Sequence, residues 1–123
     1  MTPKTRNVLA WILQVLLGAA FIMSGGKKLA DLAGTVGMFD GLGLPGWFAY
    51  LVAGGELLGG IGLLIPRLVR VAASGLILIM LGAIVMHATR IPGGLAGGVP
   101  AIVLLVLLLV LLWLRRPAPQ VLA

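Results

Sequence analysis

Cysteine is absent from this chain, and acids and histidine are scarce: 123 residues hold three Asp or Glu and one His. Without a thiol, disulfides, thiol redox exchange, thiolate-bound iron and covalent haem attachment through this chain are excluded. A single His also excludes a haem held by two histidines of one chain, and no metal site is expected from so poor a donor set. Charged residues make up only 10% of the sequence. That is too little polar surface to coat a water-soluble globule.

What the chain has instead is apolar length. Hydrophobic residues reach 61%, and mean hydropathy is +1.21. A hydrocarbon core of roughly 30 Å takes about 20 helical residues per crossing, so the expected fold class is all-α, an antiparallel four-helix transmembrane bundle in a single domain. The nine Lys and Arg give a formal charge of +6. They sit at the ends of apolar runs rather than along a stripe, so lipid headgroups and not nucleic acid are the expected partners.

Four spans can be drawn at about 8–26, 47–65, 71–89 and 100–114. The first has a basic start at Lys4 and Arg6 but no convincing small-residue cleavage site, and is read as retained. Between the first two lies a segment of about 29–46 (LADLAGTVGMFDGLGLPG) with Asp31, Asp40 and several Gly. It is too polar to span and fits a surface or re-entrant helix. Pro66, Arg67 and Arg70 form a tight turn that makes the second and third spans antiparallel neighbours. The last span is Leu and Val on every face, which suits lipid or another subunit better than chemistry.

Lys and Arg also predict orientation. With the N-terminus in the cytoplasm, Lys4, Arg6, Arg67, Arg70, Arg115 and Arg116 lie inside, against Lys27, Lys28 and Arg90 outside. That bias predicts that both termini are cytoplasmic.

Glu56 is the most informative position. It lies nine residues after Trp47, roughly 14 Å along a helix axis and near the bilayer midplane. A charge there costs about 2.5 to 3.5 kcal/mol, so Glu56 should face the bundle interior and find a partner, or be neutral. Gly55, Gly59, Gly60 and Gly62 surround it with small residues that let another helix approach. On the first span Gln14, Gly18, Phe21, Gly25 and Lys28 share one face, and on the third Met80, Ala83 and His87 share another. His87 lies about 10 Å above Glu56 by helix rise. These positions predict a polar pocket in the outer half between spans one, two and three, floored by Glu56, lined by Gln14 and rimmed by Lys28, His87 and Arg90. The competing assignments are a structural glutamate, lysines that snorkel to headgroups, and an interfacial histidine and arginine without a task.

Three stretches point to a family: Ser24 to Leu29 (SGGKKL), Glu56 to Arg67 (ELLGGIGLLIPR) and Met80 to His87 (MLGAIVMH). Taken together they resemble the DoxX family of small four-helix bacterial membrane proteins, over about Val8 to Leu114. The resemblance implies a four-helix bundle and a link to quinone-coupled sulfur oxidation and membrane oxidoreductase complexes. It carries the family's recurrent polar positions onto Lys28, Glu56 and His87.

The expected function is a membrane subunit that binds a lipophilic small molecule, foremost a quinone, with no covalently bound cofactor. Other redox subunits would be its partners, and a homo-oligomer stays open. Two alternatives remain at this point: a non-catalytic anchoring subunit, and a proton or small-solute transporter that uses the midplane acid.

Overall fold

In the computed structural model, which describes residues 1–117, Thr2 accepts a hydrogen bond from the Thr5 amide and Pro3 opens helix α1, Pro3–Ala30. A proline suits that first position because its missing N–H has no helical partner there. The helix is longer than its apolar run because polar residues at both ends continue it into the headgroup region. Asp31 stops α1 and starts α2, Leu32–Gly41, its side chain accepting from the Gly34 amide. Thr35 adds a clamp by donating to the carbonyls of Lys28 (3.1 Å) and Asp31 (2.9 Å) at the end of α1. The segment between the first two spans is thus a defined helix of 10 residues, and its Phe39 is buried.

Gly43, at φ +80°, turns the chain through a conformation that favours glycine. Helix α3, Gly46–Leu63, follows Pro45. A short turn leads to α4, Val69–Thr89. After Gly93 and Gly94, both at positive φ, a 3-10 turn over Gly94–Gly98 enters α5, Val99–Leu114. Four helical segments, Pro3–Ala30, Gly46–Leu63, Val69–Thr89 and Gly94–Leu114, are long and apolar enough to cross a membrane.

The spans form a closed ring in which α1 packs on α3, α3 on α4, α4 on α5, and α5 back on α1. The α1–α3 seam is the tightest. A Cβ on Gly25 would come within 2.5 Å of the Leu57 backbone nitrogen, and one on Gly60 within 2.8 Å of that of Ile22. Two backbones at this separation require glycine. Gly55, Gly59 and Gly62 face the other way, against Ile79, Leu76 and Ala72 of α4.

Leu17, Phe21, Leu63, Val69, Leu76, Leu108 and Leu111 fill the centre of the bundle, biased toward the end that holds the N-terminus. Helix α5 contributes Ala101, Leu108, Leu111 and Leu114 to this core, while Val103, Val106, Val110 and Trp113 are exposed. In a membrane that outer face meets lipid.

Candidate ligand site

Glu56 sits on α3 with 3% of its side chain exposed, and Lys28, in the last turn of α1, reaches it to form an ion pair at Oε1. Ser24, one helical turn before Lys28, donates to the other carboxylate oxygen at 3.0 Å and accepts from the lysine ammonium at 2.9 Å. Three groups on two helices therefore close a triangle of charge-assisted hydrogen bonds. The glycine seam makes this geometry: with α1 and α3 at backbone contact, short Ser and long Lys one turn apart both reach the same carboxylate. Lys28 does not snorkel outward. Ser24 falls within the first of the three family stretches but outside the pocket expected from the sequence. Its spacing of four from Lys28 was the available signal.

Beside the triangle lies a cavity of about 590 Å³ whose lining includes Lys28 and Glu56 at one side and His87 at the other. Between them the wall is apolar: Phe39 and Leu42 from α2 and its turn, Phe48 and Val52 from α3, Met80 and Ala83 from α4. Leu51, Leu78 and Val85 also line it and are exposed on the membrane side of the bundle. The cavity therefore opens sideways toward lipid between α3 and α4.

His87 is packed from behind. A Cβ on Gly98 would lie 3.0 Å from its Cβ, and one on Gly97 3.3 Å from Nδ1. Among the described residues, its Nδ1 is the buried side-chain polar atom without a hydrogen-bond partner. A buried unpaired nitrogen costs free energy of about 1 to 3 kcal/mol until something bonds it.

The enclosing elements differ from those expected. The cavity lies between α2, α3 and α4, with α1 supplying only Lys28. The residues Gln14, Gly18, Phe21 and Gly25 do share a face of α1, but that face is consumed in packing. Gln14 is not in the cavity. It is fully buried at the opposite end, donating to the Leu63 carbonyl at 2.9 Å and accepting from Arg115 Nε at 2.8 Å. The free carbonyls at the end of α3 attract its amide, as any unsatisfied helix terminus does. Arg90 is also outside the lining. It donates to the Leu42 carbonyl at 2.9 Å and so straps the end of α4 to the turn after α2.

Fold and site together define a multi-pass membrane protein with a laterally open apolar cavity that has charge at one side and a histidine at the other. The DoxX family model matches residues 9–89, and the chain belongs to the DoxX family. It is 31% identical over 89 residues to a Bacillus subtilis (strain 168) protein named "Putative oxidoreductase CatD", a match covering 72% of this chain and 66% of that protein, just under two thirds of its length. No solved structure matches.

Proposed function

We propose that this protein binds a quinone in the cavity between α2, α3 and α4, as a subunit of a membrane oxidoreductase system in the bacterial inner membrane. The observation that carries the reading is the cavity itself: apolar walls, lateral access from lipid, and hydrogen-bonding groups confined to its ends. Its volume falls in the range of about 300 to 1,000 Å³ usual for small-molecule sites. A quinone head has two carbonyl oxygens on opposite sides of a flat ring. Lys28 donates to one, and the imidazole of His87, on the other side of the cavity, donates to the other. Reduction to the quinol takes two electrons and two protons, and Lys28, Glu56 and His87 are the groups here that can hand protons to those oxygens. In this reading electrons come from a partner redox protein, since a chain without cysteine has no thiol to supply them. The name of the Bacillus subtilis relative is consistent with such a setting.

Both termini are on the cytoplasmic side in this reading. Six Lys and Arg at the end that holds the termini, against three at the other, support it. The exposed face of α5 favours an additional anchoring role toward a partner helix. Transport is less well supported, since below the ion pair the bundle is closed by Leu17, Phe21, Leu63 and Leu76.

The test uses detergent-purified protein and a soluble short-tailed ubiquinone analogue as probe. Wild type binds it and Ala83→Trp, which fills the cavity without touching the ion pair, does not. Equal binding by both proteins, together with quinone-linked activity in membranes unaltered by Glu56→Gln, refutes the proposal.

A further inference from the structure

Charge is distributed unevenly along the bundle axis. The antiparallel order of the helices gathers Lys4, Arg6, Arg67, Arg70, Arg115 and Arg116 at the end that holds the N-terminus. All three acids, Asp31, Asp40 and Glu56, lie in the other half of the bundle or beyond it. Among the described residues, no carboxylate pairs with any of those six cations.

One of them is held in a fixed pose. Arg115, just past the end of α5, donates through Nε to Gln14 at 2.8 Å and through a terminal nitrogen to Asn7 Oδ1 at 2.8 Å. Its guanidinium carbon lies 5.8 Å from the centroid of the Trp11 ring. Gln14 cannot swing away, because its own amide is bound to the Leu63 carbonyl. The second terminal nitrogen has no protein acceptor among the described residues. Partial burial, and then the nearby charge of Arg6, hold this guanidinium below its ordinary pKa. Arg115, locked by three side chains, and Arg6, the chain neighbour of Asn7, present positive charge here with no carboxylate partner among the described residues.

The same residues head a groove. Asn7 and Trp11 begin a shallow depression of about 480 Å³ that continues along Val8, Ile12, Val15 and Leu16 on the outward face of α1. Those four apolar side chains are exposed, and they lie within a membrane-spanning helix. An apolar groove at this depth suits a hydrocarbon chain, and Arg115 and Arg6 at its head suit an anion at the membrane surface.

We propose that this end of the bundle seats one anionic phospholipid, with its phosphate on Arg115 and Arg6 and an acyl chain along the groove from Val8 to Leu16. Zwitterionic lipids fit less well, since their ammonium group would enter a region that already carries uncompensated positive charge. The seat is separate from the cavity, and its occupancy stitches α1 to α5.

The experiment is native mass spectrometry of the full chain in non-ionic detergent, incubated with equal amounts of phosphatidylglycerol and phosphatidylcholine. Wild type retains one phosphatidylglycerol in preference. Arg115→Gln lowers that retention by at least about fivefold, the effect of one surface cation, whereas Arg67→Gln, the same charge change at the same end, leaves it in place. Because Arg115→Gln also breaks the bond to Gln14, Leu16→Trp supplies a second variant that fills the groove with the cations intact, and it too lowers retention. Excess glycerol phosphate, which has no acyl chain, fails to displace the lipid. Equal retention of the two lipids, equal loss in Arg67→Gln, no loss in Leu16→Trp, or displacement by glycerol phosphate each overturns the proposal.

Discussion

Truncating Lys28 should harm this protein far more than neutralising Glu56, although both changes break the same ion pair. In Lys28→Met the carboxylate stays on the middle of α3, 3% exposed and boxed in by α1 and α4. An uncompensated buried charge costs about 3 to 5 kcal/mol. Two features reduce that here: Ser24 still donates to Oε2, and the lysine side chain is 28% exposed, so the lost attraction was partly screened. The expected net loss is about 2 to 3 kcal/mol. In Glu56→Gln the lysine has a way out, since four methylenes at the end of α1 let its ammonium swing to the headgroups, and the amide oxygen keeps the Ser24 bond. That change should cost under about 1 kcal/mol. The double variant Lys28→Met/Glu56→Gln carries no stranded charge and should lie within about 1 kcal/mol of wild type. The cycle then yields a coupling of roughly 2 kcal/mol, well above the error of such measurements. Reversible unfolding in mixed micelles titrated with dodecyl sulfate, followed by helical circular dichroism, reads all four proteins. A Lys28→Met protein no less stable than Glu56→Gln would show that the pair is not held as described.

Other parts of the bundle are open to equally direct checks. Gly25→Ala should destabilise by at least about 2 kcal/mol, because the new methyl meets backbone rather than a flexible side chain; Gly26→Ala, with nothing within 4 Å, should be neutral in the same assay. Gln14→Leu strands the Leu63 carbonyl and the Arg115 guanidinium and should cost about 2 kcal/mol, yet leave binding of the short-tailed quinone analogue unchanged; weakened binding would contradict the placement of Gln14 outside the cavity. Since the native chain has no cysteine, single-cysteine labelling reads topology without background. A membrane-impermeant maleimide should label Asp40→Cys on intact cells and Arg116→Cys only after permeabilisation, and the reverse pattern would invert the orientation.

Hydropathy and periodicity were enough to lay out four spans, to set the segment after Lys28 apart from them, and to single out Glu56. These properties are one-dimensional: length against bilayer thickness, and the cost of a charge at depth. The same signals misplaced Gln14. Periodicity gives an angle around a helix but not its height, and Gln14 and Ser24 share the α3-facing side of α1 while lying ten residues apart, about 15 Å along the axis. That offset puts Gln14 beside the end of α3 and Arg115, and Ser24 beside Glu56.

The partner of Glu56 was also hidden, because a lysine at a helix end satisfies itself equally well in headgroups or inward until backbone contact at Gly25 and Gly60 brings a carboxylate within reach. Sequence by itself determined that this protein lives in a membrane as helices and that one buried acid must be answered. Only the tertiary structure decided that Lys28 and Ser24 answer it and that α2 rather than α1 walls the cavity, because both depend on the relative height and spacing of helices that no single-helix pattern encodes.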